Sequence, residues 1–164
     1  MILIAAVDEN WGIGYQGELL ARLSKDMNFF RTKTTDNIII MGRKTLESFP
    51  KKTPLPNRIN IVLTNNTQYA CEGAILCHSI AEVVDTVKQY PDKDCYIVGG
   101  GSVYEEFLPY CDTAYITKFA SSFPADTYLK NLDASHEWEL THQSETFEEK
   151  GISFSFVTYK RVVS

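Results

Sequence analysis

With 164 residues, 44% of them hydrophobic and 12% aromatic, the chain is long enough to bury one sizeable core and too short to expect two. Its net charge of -5 excludes a general electrostatic attraction to nucleic acid or to anionic lipid, since both need a basic face, so any anionic ligand must be held by a local cluster. Cys71, Cys77, Cys95 and Cys111 form no C-x-x-C pair, and His78, His136 and His142 are scattered among them, which argues against structural zinc or a disulfide framework and for free thiols in a reducing cytosol.

Residues 1–7 are apolar, lack a basic flank and meet Asp8 and Glu9 at once, so they read as a buried strand and not as a signal peptide or membrane span. Gly12, Gly14 and Gly17 permit unusual backbone angles within residues 8–21, where a mobile loop is expected. Ser24 is placed to cap the next helix, on which Leu23, Met27 and Phe30 recur along one face together with Asp26. Residues 38–41, Ile-Ile-Ile-Met, make a second strand that breaks at Gly42 into a short helix starting near Lys44 or Thr45. Pro50, Pro54 and Pro56 then keep the chain in a loop. The continuous Ile/Val/Leu character of residues 59–64 is that of a strand covered on both faces. A strand at 74–77 leads to Ser79 and Glu82 at capping-box spacing, with Ile80, Val83, Val84 and Val87 as an apolar helical stripe. Residues 95–98 run as a strand into Gly99-Gly100-Gly101 and a helix over 102–109, followed by a strand at 114–119. Two extended runs, 138–147 and 152–161, are joined by 148–151 as a hairpin. This alternation predicts an α/β fold: a mainly parallel central sheet with helices on both faces and an antiparallel C-terminal hairpin, in one domain over 1–164.

Ligands of open α/β sheets bind at the carboxyl ends of strands, and three such ends, after Met41, Leu63 and Val98, open into segments rich in Gly, Thr, Ser, Asn or basic residues. The segment from Gly99 to Ser102 is either a tight turn or a phosphate cradle; Tyr104 at the sixth position departs from G-x-G-x-x-G. Gly42-Arg43-Lys44-Thr45 repeats the arrangement with two cations, and Thr64-Asn65 adds a hydroxyl and an amide. Together the three suit a pyrophosphate and one further phosphate. Asp26 reads either as a helix-start residue favoured by the dipole or as a desolvated carboxylate of raised pKa for a cationic or amide-like heterocycle. Arg58, after Pro54-Leu55-Pro56-Asn57, is either a surface salt-bridge partner or a guanidinium that grips a ligand carboxylate through two hydrogen bonds. Trp11 and Trp138 read as packing residues.

Ile13-Gly14, Asp26 with Phe29-Phe30, Ile40-Met41-Gly42-Arg43-Lys44-Thr45 and Pro54-Leu55-Pro56-Asn57-Arg58 stand in a fixed order. They are followed by Val98-Gly99-Gly100-Gly101-Ser102-Val103-Tyr104-Glu105, Tyr115-Ile116-Thr117 and Asp126-Thr127. Taken in that order they resemble the dihydrofolate reductase family, in its bacterial single-domain form, along essentially the whole chain. The resemblance implies NADPH-dependent reduction of 7,8-dihydrofolate to 5,6,7,8-tetrahydrofolate, with hydride passing to pterin C6 while N5 gains a proton. It implies that Asp26 hydrogen-bonds the amide-like edge of the pterin with Thr117 supporting it through water, and that Arg58 holds the glutamate carboxylate. Ile4, Ala5, Met27, Phe30, Phe49 and Leu55 would line the substrate pocket. Arg43, Lys44, Thr45, Thr64 and Asn65 would hold the adenosine phosphates, while Gly99, Gly100, Gly101, Ser102, Val103 and Tyr104 cradle the pyrophosphate across a cis Gly99-Gly100 bond. Ala6, Ile13, Gly14 and Leu19 would contact the nicotinamide half, and Gly17, Gly42, His78, Val98 and Thr127 would complete the cofactor site. No metal is implied. The expected partners are dihydrofolate and antifolate inhibitors, for a cytoplasmic monomer without nucleic-acid or membrane contacts.

Leu20-Ala21 departs from the Pro-Trp usual in the family, whose tryptophan packs near both ligands, so a gap that water can enter is expected at Ala21. Two other readings stay open: a riboflavin- or pteridine-pathway reductase of related fold, which would need neither Asp26 nor Arg58, and a non-catalytic NADP-binding module.

Overall fold

The computed structural model describes residues 1–162. In chain order the elements are β1 (Ile2–Val7), β2 (Gly12–Tyr15), β3 (Glu18–Leu19), α1 (Ser24–Thr34), β4 (Ile38–Gly42), α2 (Arg43–Glu47), β5 (Ile59–Leu63) and β6 (Ala74–Cys77). They continue with α3 (Ile80–Val87), β7 (Cys95–Gly99), α4 (Gly101–Phe107), β8 (Thr113–Phe119), β9 (Thr127–Tyr128), β10 (Trp138–Gln143), β11 (Phe147–Glu149) and β12 (Ile152–Arg161). The main sheet has the order β10-β12-β8-β1-β7-β4-β5-β6, with β11 also on β12. From β8 to β6 every pairing is parallel. Strand β12 runs antiparallel to β8, and β10 and β11 run antiparallel to β12. The expected sheet is therefore present.

Four consecutive residues of β4, Ile38 to Met41, have no solvent exposure, and this needs cover on both faces. One face carries Leu3, Ile38, Ile40 and Ile61 against Val83 of α3 and Val103 and Phe107 of α4. The other carries Ile4, Ile39, Met41 and Val62 against Leu46 of α2 and Phe29 and Phe30 of α1. A third cluster, Leu23, Phe119 and Phe154, takes in Ala6, Ala21, Phe123 and Phe147 at the hairpin end. Trp11 and Trp138 are buried, and all four cysteines are free, with burial pushing the Cys95 thiol up to about 12. No helix among the described residues is long and apolar enough to cross a membrane.

Several local expectations are corrected. Residues 8–21 are not an irregular loop: β2 and β3 form a hairpin, and β9 pairs with the other side of β2. Gln16 and Gly17 make its turn at φ 51° and 81°. Gly12 serves close approach, since a Cβ there would stand 2.7 Å from the Ala125 Cβ. The buried Asp8 carboxylate accepts from the Asn10, Gly12 and Phe123 N–H groups at 2.9, 2.8 and 3.0 Å, and Asp126 accepts from the Gln16 N–H at 2.9 Å. Ser24 does not cap α1. It lies inside the first turn, the cap position is Leu23, and the Glu149 carboxylate of β11 accepts from the Ser24 and Lys25 N–H groups instead. Helix α2 starts one residue earlier than expected, at Arg43. Helix α4 stops at Phe107, and Leu108–Tyr110 tightens into a 3-10 turn where Pro109 has no N–H to give.

The capping box of α3 forms, with Ser79 Oγ accepting from the Glu82 N–H at 3.1 Å, but the Glu82 carboxylate reaches the His78 N–H rather than that of Ser79. The first arm of the C-terminal hairpin is broken into β10 and β11, because Ser144 both donates its N–H to and accepts through its Oγ from Phe156. Its turn is only Lys150 and Gly151, at φ 52° and 77°, values that the right-handed twist of a two-residue hairpin demands.

Gly101 brings α4 against β9: a Cβ at that position would lie 2.6 Å from the Thr127 Cγ2. Gly101→Ala should therefore cost about 1 to 3 kcal/mol in urea unfolding, as overpacking does, and Thr127→Ser, which removes that methyl, should recover most of it. Equal midpoints for the single and double variants would deny the contact.

Candidate active site

Strands β7, β4, β5 and β6 are neighbours in that order, so Gly99, Gly42, Thr64 and His78 stand side by side at or just past their carboxyl ends. At the β4 end Arg43 is half-buried, 3.8 Å from Glu47 and 5.8 Å over the Tyr69 ring, while exposed Lys44 has no ion pair among the described residues. Thr45 Oγ1 lies 3.6 Å from where a Gly100 Cβ would be, and Val103 Cγ2 lies 3.3 Å from that of Gly42, so α2 and the turn before α4 close on each other. Thr64 Oγ1 accepts from the Asn66 N–H at 3.1 Å, and Asn65 is exposed. His78 Nε2 is buried without a hydrogen-bond partner, and its Nδ1 lies 3.6 Å from the Glu82 carboxylate.

The Gly99-Gly100 bond is cis, as expected. The Tyr104 ring lies 3.3 Å from the place of a Gly99 Cβ, and its hydroxyl donates to the Ile4 carbonyl at 2.7 Å. Burial pushes that phenol far up. Val98 is half-buried, Val103 buried and Ser102 exposed at the start of α4, with Thr127 against Gly101.

Across β1 lies the second half of the site. Asp26, in the first turn of α1, is half-buried, and Thr117 Oγ1 of β8 donates to its Oδ1 at 2.6 Å. Burial pushes the Asp26 pKa up, the Thr117 hydrogen bond pulls it back, and the Glu149 charge pushes it up again. The carboxylate is thus turned toward the sheet and away from its own helix end, which favours the second of the two roles read from the sequence. Met27 is 54% exposed, and half-buried Phe30 stands 6.0 Å from the Arg58 guanidinium. Phe49 and Leu55 are half-buried against the same cluster as Ile4. Ala5 and Ala6 of β1 pair with Ile116 and Thr117, so Ala6 sits beside the Asp26 support.

Arg58 has no salt bridge among the described residues. Its Nε donates to Thr34 Oγ1 and its Nη1 to the Pro56 carbonyl, each at 2.8 Å. Burial and the nearby Arg31 charge both lower its pKa, as expected of two cations lacking a shared anion. Buried Asn60 fixes the loop that aims it, binding both the N–H and the carbonyl of Leu55 and the Arg58 carbonyl. Arg31, Asn60 and Glu149 escaped the sequence reading, since each gains its meaning from a partner far along the chain.

Ile13 is buried and Gly14 half-buried, whereas Leu19 is 58% exposed and Gly17 has open space around it, so neither Leu19 nor Gly17 is packed into the site. Ala21 is half-buried against Leu23, Phe119 and Phe154, where Phe123 packs edge-on to Phe119 at 6.1 Å.

The family model described as dihydrofolate reductase matches residues 1–161. The chain belongs to the dihydrofolate reductase family. It is 33% identical to the dihydrofolate reductase of Bacillus subtilis over 96% of this chain and 92% of that one, and 36% identical to that of Drosophila melanogaster over 94% and 93%. A bifunctional dihydrofolate reductase-thymidylate synthase of Daucus carota is 35% identical over 98% of this chain, which spans only 33% of that protein. The solved dihydrofolate reductase of Enterococcus faecalis, complexed with NADP(H) and RAB-propyl, superposes with a TM-score of 0.86 at 33% identity, covering 98% of this chain and 95% of that one. In this member of the dihydrofolate reductase family, the orphaned His78 nitrogen, the free Lys44 cation and the glycine cradle at 99–101 fit a phosphorylated dinucleotide.

Because the folded protein raises the Asp26 pKa above its ordinary 3.8, the native state binds a proton more readily than the unfolded chain. The contribution of this group is undiminished below the unfolded pKa and is lost as pH rises through the folded one. Asp26→Asn should therefore raise the urea midpoint at about pH 7 and lose that advantage at about pH 2.5, where both states are largely protonated. A difference independent of pH would show that the carboxylate is not desolvated.

Proposed function

We propose that this protein reduces 7,8-dihydrofolate to 5,6,7,8-tetrahydrofolate with NADPH, acting as a single-domain cytoplasmic monomer, and that antifolate inhibitors compete for its substrate pocket. The observation that carries this reading is the half-buried Asp26 carboxylate, hydrogen-bonded to Thr117 and set across β1 from a row of phosphate-type groups at four strand ends. Arg58, free of any salt bridge among the described residues, supports the same substrate, since a bidentate guanidinium suits its glutamate carboxylate. A riboflavin- or pteridine-pathway reductase would use neither group.

The NADPH nicotinamide, when bound, supplies the hydride for pterin C6. Arg43, Lys44, Thr45, Thr64, Asn65 and His78 would hold its adenosine phosphates, and Gly99 to Tyr104 its pyrophosphate. Ala6, Ile13 and Gly14 would flank the nicotinamide half. Asp26 accepts from the amide-like N–H edge of the pterin while Thr117 fixes its rotamer. Its negative charge in apolar surroundings raises the proton affinity of the bound ring, so N5 gains its proton from water as the C6–N5 double bond is reduced. Phe30, Phe49 and Leu55 would keep other water from the ring, which strengthens that electrostatic effect.

Following the loss of NADPH absorbance in the presence of dihydrofolate tests the reading. Asp26→Asn should stay folded and lose roughly 100-fold or more in turnover near neutral pH, the scale of lost acid-base assistance. Near-normal turnover would return Asp26 to a structural role. Arg43→Ala should raise KM for NADPH by about tenfold or more while leaving NADH nearly unaffected, since a hydrogen bond to a charged group is worth about 1.5 to 3 kcal/mol. Equal losses with the two cofactors would mean that Arg43 serves only Glu47 and Tyr69.

A further inference from the structure

Helix α1 carries Asp26 in its first turn yet has no side-chain cap of its own, its cap position being Leu23. A helix start leaves its first N–H groups without partners and gathers partial positive charge. Two of these groups, on Ser24 and Lys25, donate to the Glu149 carboxylate at 2.6 and 3.2 Å. The same hairpin adds the Lys150 ammonium on the Arg22 carbonyl at 3.1 Å and the Phe147 ring 4.2 Å from the Lys25 ammonium. Its long strand β12 sets Phe156 opposite Thr117, the residue that holds Asp26, and stacks Phe156 on Phe29 of α1 at 4.5 Å. The helix turn that bears the carboxylate and the strand that bears its hydroxyl partner are thus both referenced to one C-terminal hairpin.

From this arrangement we infer that Glu149 is a positioning residue for Asp26, fixing the first turn of α1 from outside the helix and keeping the surroundings of the Asp26 carboxylate negative. The inference rests on the reductase reading above, in which Asp26 faces the pterin. Among the influences on Asp26, burial is the largest, the Thr117 hydrogen bond opposes it, and the Glu149 charge adds to it. Glu149 remains ionised, because the Ser24 and Lys25 N–H groups hold its carboxyl below the usual range. The other titratable groups around Asp26 are engaged elsewhere. Lys25 is turned to Phe147, Lys150 to the Arg22 carbonyl, and Tyr104 of α4 donates to Ile4 with its pKa pushed far up. Thr117 cannot titrate in the working range.

Glu149→Gln keeps the length of the side chain and one acceptor while removing the charge, and Glu149→Asp keeps the charge on a shorter arm. Two readouts separate positioning from mere capping: the carboxyl titration of Asp26, followed by NMR of aspartate-labelled ligand-free protein, and the pH profile of single-turnover hydride transfer. For Glu149→Gln the Asp26 midpoint should move to lower pH. Hydride transfer on the alkaline side should slow by about two- to fivefold, the effect of one charge near a helix terminus. Glu149→Asp should leave the midpoint near that of the unaltered protein, even with a lower Tm. A lowered Tm with both titration and pH profile superimposed on the unaltered protein would overturn the inference, as would an equal midpoint shift in Glu149→Asp. Failure of the unaltered protein to oxidise NADPH with dihydrofolate would instead sink the reductase reading, while the Asp26 titration would still decide the role of Glu149.

Discussion

Ile38, Ile39, Ile40 and Met41 have no contact with solvent on either side of the sheet, and a strand buried on both faces can meet water and ligands only at its ends. That constraint organises the molecule. Four neighbouring parallel strands must release their polar residues at the same edge, which is why Arg43, Thr64, His78 and Gly99 converge although up to 56 positions separate them in the chain. The close approaches of Gly42 to Val103 and of Gly101 to Thr127 follow from the same crowding, since several chain turns share one narrow rim.

Charge is distributed to suit this layout. A chain of net charge -5 cannot attract an anionic ligand by its overall field, so it must use local cations, and the structure keeps two sets of them apart. Arg43 and Lys44 lie at the β4 end, while Arg58 and Arg31 lie beyond Phe30. Asp26 stands apart from both, its carboxylate with a hydroxyl partner but no salt bridge among the described residues. Leaving a carboxylate so placed costs stability, and a folded protein retains such a cost where the group has work to do.

Carboxylates also do the mechanical work in the segments that flank the site. Asp8 joins the start of the first hairpin to Phe123, Asp126 holds the hairpin tip through Gln16, and Glu149 holds the start of α1. Each uses a side-chain acceptor to satisfy backbone N–H groups that no strand or helix pairs, the accounting that every irregular segment must meet. The aromatic cluster of Phe119, Phe123, Phe147 and Phe154 closes the same region from the apolar side, and Ala21 packs against it.

The sequence by itself determined the parts that depend on local pattern. The apolar runs of β1, β4, β5 and β7, the Ser79 cap of α3 and the glycine turn at 99–101 follow from side-chain periodicity and backbone freedom, which neighbours in the chain impose. The ordered motifs likewise made the family and the groups around Asp26, Arg43 and Arg58 legible. Only the tertiary structure decided what depends on distant partners. The first loop became a hairpin because β9 lies beside it, Ser24 lost its capping role because Glu149 reached the helix start first, and the C-terminal arm broke where Ser144 bonds Phe156. Asp26 could be read two ways until Thr117 was seen to hold it, because a hydrogen bond across 91 positions of chain leaves no trace in local spacing.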